Sequence, residues 1–133
     1  MPTDELFRAP FIAIGLDAAE GWLHVEWEGY QTVGTVQQGC ERVLALLAQH
    51  GVAKVLNDNT EVLGGWSEAA EWLVDDWYPR MRAAGLRCFA WVYSPSRLSQ
   101  LSADETMARL GEASGVQVFA YADEARRWLR SCA

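Results

Sequence analysis

The sequence predicts an α/β domain: a single-layer mixed β-sheet of about five strands, with an N-terminal antiparallel hairpin and mostly parallel strands after it, packed with about four helices. Three observations carry this. Two alternating stretches, FIAIGLD and WLHVEWE, sit on either side of a four-residue turn, which is the pattern of a hairpin. Beyond them, strand-like and helix-like patterns alternate to the end of the chain, which implies right-handed crossovers between parallel strands. Finally, CFAWVY at 88–93 is apolar on both faces, as a central parallel strand is.

The elements follow in order. In the first strand, Phe11 to Asp17, Ile12, Ile14 and Leu16 fall on one face. In the second, Trp22 to Glu28, Leu23, Val25 and Trp27 oppose Trp22, His24, Glu26 and Glu28. Thr35 to His50 reads as a helix with an apolar stripe of Val36, Cys40, Val43, Leu44 and Leu47, closed by Gly51 as a left-handed cap. Lys54 to Asn57 is a short central strand, followed by a polar loop from Asp58 through Gly65. Ser67 is placed to cap a second long helix that runs to Gly85. Pro79 lies inside that helix and lacks the N–H that would bond the Asp75 carbonyl, so a kink or a break and restart is expected at 75–79. After the strand Cys88 to Tyr93, Ser102 and Glu105 have the spacing of a capping box and are expected to open a short helix ending near Gly111. Val116 to Phe119 is a last strand and Asp123 to Ser131 a last helix. Residues 1–133 make one domain, with residues 1–10 a loose N-terminal arm.

Composition narrows the function. The net charge of −7 opposes nucleic-acid binding and docking on anionic membranes, both of which need a basic face. No apolar run approaches the ~20 residues of a membrane span, and the N-terminus has no signal-peptide pattern. The three cysteines, Cys40, Cys88 and Cys132, match no zinc or redox spacing. Cys40 and Cys88 fall at apolar positions and are expected to be buried free thiols, which suits a reducing cytoplasm. Neither histidine has a ligand neighbour at metal spacing, and no glycine-rich phosphate loop occurs, so no metal and no cofactor is expected. The first hairpin is expected to leave an unpaired edge through which two copies of the chain pair as a homodimer.

Topology gives a candidate site an address. In open α/β sheets, ligands gather beyond the C-terminal ends of the parallel strands. The third strand delivers Asn57, Asp58, Asn59 and Thr60 there. The fourth delivers Tyr93, Ser94 and Arg97, and the second long helix begins beside them at Trp66 and Ser67. These residues are equally the ordinary currency of turns and caps. Asp58 as base and Ser94 as nucleophile would make a hydrolase, but no histidine lies near either in sequence to activate the serine.

The stretch KVLNDNTEVLGGWSEAAEWLVDDWYPRMRAAGLRCFAWVYSP, residues 54–95, with SQLSAD at 99–104 and DEARRWL at 123–129, resembles the SpoIIAA-like proteins of STAS/SEC14 type. That resemblance implies a bacterial, cytoplasmic, non-enzymatic module that binds a protein partner, as anti-sigma-factor antagonists do. In those antagonists a serine after the third strand is phosphorylated, within an Asp-Ser motif. Here Ser67 stands in roughly the matching place between Trp66 and Glu68, and Thr60 follows Asn59, so the motif itself is missing. The SEC14 side of the resemblance implies a small apolar-ligand or lipid-binding cavity, for which Trp66, Trp72, Trp77, Trp91 and Tyr93 are the candidate wall. A protein partner and an apolar ligand are thus both open.

Overall fold

A computed structural model describes residues 3–111 and 114–132. Its six strands are β1 (Asp4–Ala9), β2 (Ile12–Asp17), β3 (Trp22–Tyr30), β4 (Lys54–Leu63), β5 (Cys88–Val92) and β6 (Val116–Phe119). They lie side by side in chain order. The pairs β1–β2 and β2–β3 are antiparallel, and the three pairs from β3 to β6 are parallel. Four helical segments accompany them. These are α1 (Val33–His50), a composite segment α2 (67–83), α3 (Arg97–Leu110) and α4 (Ala122–Ser131). The mixed α/β sheet expected from the hairpin and the alternation is therefore present, with one strand more.

The extra strand corrects the expectation of a loose arm. Residues 4–9 pair with β2 from Asp4–Leu16 to Ala9–Ile12, through a bulge between Glu5 and Phe7. The bulge breaks the alternation of DELFRA, which hides the strand from a period-2 reading. It also means that the β2 edge, expected to be free for pairing with a second copy, is occupied by β1.

Strand order sets the layers. With β3 to β6 laid out in one direction, the connecting helices α1, α2 and α3 share one face of the sheet, and the main core lies beneath them. It combines Ile12, Ile14, Leu23, Val25 and Trp27 of the hairpin with Val55, Val62, Phe89 and Trp91, and with the buried stripes of α1 and α2. On the opposite face α4 sets Ala125 and Leu129 against Trp22, Leu56, Ala90 and Val92. The strict alternation in CFAWVY is what lets one strand feed both cores, which is why all five residues of β5 are buried.

Local chemistry explains the boundaries. α1 starts two residues earlier than the apolar stripe indicates, because Thr32 and Thr35 cap it reciprocally: each hydroxyl accepts the other's backbone N–H, at 3.1 and 2.9 Å. Gly51 closes it at φ 62°, in the expected left-handed cap. β4 runs six residues past Asn57, so the polar stretch expected as a loop is largely strand. After Asp58 this strand loses β5 and pairs with β3 alone, through a bulge opposite Glu26–Glu28. The Ser94 hydroxyl then donates 2.6 Å to the Val62 carbonyl, so the overhanging edge is not left bare.

α2 bears out the expected irregularity and gives it a form. It passes from a 3-10 turn (Ser67–Ala69) through one α turn (Ala70–Trp72) to a π turn (Leu73–Trp77), then resumes as α from Tyr78 with Pro79 in its first turn. The chain widens before the proline instead of breaking. A π turn accommodates the missing N–H without a reverse in direction.

Two further expectations are corrected. Ser102 does not open a helix: α3 begins at Arg97, and Ser102 is fully buried inside it. Cys88 is not a free thiol. It is bonded to Cys132, with Cα atoms 6.6 Å apart, and ties β5 to the end of α4. Cys40 is free and buried. No described helix is long and apolar enough to cross a membrane.

Candidate functional site

Between the sheet and the α1–α2 layer lies a partly open cavity of about 50 Å³. That admits about three or four waters; a cavity that takes up benzene without rearrangement is about 150 Å³, so a ring enters here only as the wall moves outward. Its wall is almost wholly apolar and is built around four indoles, those of Trp27, Trp66, Trp77 and Trp91. Val43 of α1, Leu73 of α2 and Phe89 of β5 complete most of the remainder. A wider groove of about 390 Å³ lies outside it, between the start of α1 and the start of α2. Gln31 and Trp66 line both spaces and so stand between them.

Each indole is held by its own contacts. Trp27 Nε1 donates 2.9 Å to Asn57 Oδ1, and Trp77 Nε1 donates 2.8 Å to the Cys40 carbonyl on α1. Trp66 is clasped by α3: its backbone N–H reaches Ser102 Oγ at 2.9 Å and its Nε1 reaches Ser99 Oγ at 3.2 Å. Ser102 is therefore spent on positioning Trp66, which is why a capping-box spacing sits mid-helix. Trp66 and Trp91 stack with centroids 5.5 Å apart and planes 18° apart, and Phe89 meets both Trp77 and Trp91 edge to face. The Trp91 Nε1–H is buried and has no acceptor among the described residues.

The π turn shapes the wall. It carries Leu73 and Trp77 to the cavity and delivers Tyr78 just beyond, whose hydroxyl donates to the Ser114 carbonyl. Burial pushes the Tyr78 phenol and the Cys40 thiol above their ordinary pKa values. The lining residues include no carboxylate, imidazole, amine or guanidinium. What the cavity supplies is stacking, dispersion and a few hydrogen-bonding groups.

The expected rim residues separate into three places. Asn57, Asn59 and Trp66 line the cavity. Asp58 lies on the other face of β4, where its Oδ1 accepts from the Thr60 N–H at 2.9 Å and from the Thr60 hydroxyl, and His24 Nε2 stands 4.0 Å from its Oδ2. Burial raises the Asp58 carboxyl, but His24 and the two Thr60 donors more than offset this and hold it below the usual carboxylate range. Ser67 is exposed at the outer groove, with its Oγ 3.0 Å from Ser102 Oγ. Tyr93 donates its hydroxyl to Asp104, Ser94 is buried and Arg97 is exposed at the start of α3. Burial, with Asp104 beside it, pushes the Tyr93 phenol up to about 12.

Two consequences follow for chemistry. The Ser94 hydroxyl, which donates to Val62 and accepts the Ser96 N–H at 2.9 Å, is committed to structure and is not poised as a nucleophile. Asp58, with a depressed pKa, is a weak base. Of the aromatic wall expected from the sequence, Trp66, Trp77 and Trp91 line the cavity. Trp72 is half-buried under Arg80, and Tyr93 faces Asp104.

Trp27 and Gln31 are the residues that sequence reasoning missed. Alternation puts Trp27 on the inward face of β3, but nothing local distinguishes a cavity wall from packed core. Gln31 follows the strand in a linker, with no pattern to mark it. Compared with family models and with curated proteins, the chain matches none.

Proposed function

We propose that this domain binds a small, uncharged, flat apolar molecule in the tryptophan-walled cavity, entering from the groove between α1 and α2. The observation that carries the reading is the cavity itself: an apolar space framed by four indoles and opening past Gln31 and Trp66 at the C-terminal ends of the parallel strands. Its size excludes a lipid chain, and a single ring fits once the side chains of the wall shift outward. The absence of charged lining groups favours a neutral ligand, since an ion there would be stripped of water without a partner.

A thermal-shift screen of small aromatic compounds tests it. A compound at ten times its Kd stabilises the fold by about 1.4 kcal/mol, a shift of roughly 3–6 °C for a domain this size. The Val43→Phe variant, which fills the cavity, is expected to lose that shift. A screen in which no compound moves the wild-type Tm beyond the scatter contradicts the proposal.

A protein-interaction module of STAS type is a second reading, favoured by one observation. Tyr30, Leu63 and Leu98 are 75%, 48% and 60% exposed and are joined through Gly64 and Gly65 beside the groove. Such apolar residues suit a partner, and the exposed Ser67 and Thr60 hydroxyls are the phospho-acceptors this reading would use.

A further inference from the structure

The face of the sheet opposite the cavity is covered by one helix, and that helix is fastened at its two ends. α4 hangs from β6 by two residues, Ala120 and Tyr121, and just past its last turn the Cys88–Cys132 bond ties it to β5. Between those points its own hold is thin. Five of its ten residues are charged, and only Ala125 and Leu129 are buried. Half-buried Trp128 leans on Phe119, Lys54 Nζ donates 2.5 Å to the Leu129 carbonyl, and Arg130 pairs with Glu20 at the surface. A helix of ten residues does not persist in water without its packing. The two cysteines also differ in access. Cys88 is 2% exposed within the core that α4 covers, whereas Cys132 is only half-buried.

We infer that the Cys88–Cys132 bond is a redox latch: its reduction frees α4 from the sheet and bares the apolar surface of Trp22, Leu56, Ala90 and Val92. The reductant is a dithiol. One of its thiolates attacks Sγ of Cys132, the more exposed partner, and the bond between the two sulfurs breaks with Cys88 leaving as a thiolate. The second thiol of the reductant then displaces Cys132 from the mixed disulfide. Two electrons pass to the protein, the dithiol closes into its own disulfide, and Cys88 and Cys132 each end with a proton. The opening stays on this face. Cys88 remains in β5, which is paired on one side with β4 and on the other with β6, and the main core lies across the sheet under α1, α2 and α3. The reduced molecule keeps its sheet while α4 detaches, a step short of global unfolding. In the oxidised molecule the bond closes a loop over 44 residues and returns the helix to its seat whenever its packing loosens.

Thiol labelling reads the release, and Cys40 serves as its internal control. Cys40 is free and buried in the main core on α1, so it reports opening of the whole molecule. Wild type is reduced with dithiothreitol, desalted without oxygen and pulsed with iodoacetamide in native buffer, and alkylation at each cysteine is followed by mass spectrometry. The expected result is that Cys88 is alkylated at least about tenfold faster than Cys40, because its cover has gone while the main core has not opened. Cys132→Ser, which removes the bond without a reductant, is expected to give the same ratio. Hydrogen exchange on the reduced wild type provides a second reading that needs no variant: α4 amides are expected to lose at least about tenfold more protection than those of β5. Equal alkylation of Cys88 and Cys40 overturns the inference at either speed. Slow and equal rates mean that α4 stays seated without the bond; fast and equal rates mean that reduction unfolds the whole molecule.

Discussion

Single side chains on the two faces of β4 do different work, because alternation separates them by one residue. Asn57 and Asn59 turn to the indoles, while Asp58 turns to His24 and Thr60. The depressed pKa of Asp58 has a definite sign for stability. Its folded value lies below that of the unfolded chain, so its contribution is fully present above the ordinary value of ~3.9 and is lost as pH falls through the folded value. Asp58→Asn is therefore expected to cost about 1 kcal/mol at neutral pH, read from urea unfolding, and to cost progressively less as pH drops toward 3. A cost that stays constant across that range would assign the effect to packing instead of charge. The same alternation made Trp27 legible as an inward residue, but its hydrogen bond to Asn57 joins residues thirty positions apart, and no local pattern encodes that.

At the scale of elements, regular patterns were readable and compensated irregularities were not. The apolar stripe of α1 and its Gly51 cap are local, and so were visible in the sequence. The extension of β4 was not, because Asp58, Asn59, Thr60 and Glu61 are turn-forming types that take up strand geometry only with β3 beside them. Ser102 shows the opposite error: a genuine local signature outcompeted by the need to hold Trp66. The contact between α1 and the hairpin rests on Gly39. A Cβ there would lie 2.4 Å from the Trp27 ring and 2.9 Å from Ile12. Gly39→Ala gains about 1 kcal/mol of helix propensity but forces the ring off its place, and a net loss of about 1–2 kcal/mol is expected. Thermal unfolding measures the loss, and Trp27 indole NMR shifts would report the displaced ring. A variant as stable as wild type with unmoved shifts would mean that α1 and the hairpin are less closely fitted than the structure has them.

For the whole molecule, the two faces of the sheet are secured by different means. The cavity face is covered by three helices. The other face has α4 alone, held by Ala125 and Leu129, by Lys54 Nζ donating 2.5 Å to the Leu129 carbonyl, by an Arg130–Glu20 ion pair, and by the Cys88–Cys132 bond. The bond spans 44 residues of sequence, and chain-entropy arguments assign such a loop about 4 kcal/mol at most. Cys132→Ser is accordingly expected to lower unfolding stability by about 2–4 kcal/mol, with wild type in reductant behaving alike. An unchanged midpoint in both would show that α4 is held without the bond. Sequence spacing had no means of revealing the pairing, since it depends on β5 and the last helix meeting across the sheet.

The cavity behind Trp66 is the feature from which the proposed function follows, and a crystal structure of the protein exposed to benzene vapour tests it most directly. Density for one ring is expected among Trp27, Trp66, Trp77 and Trp91, with the surrounding side chains moved outward to admit it and the backbone unchanged. A well-ordered crystal with no added density there, or with the four indoles closed on one another, would contradict it.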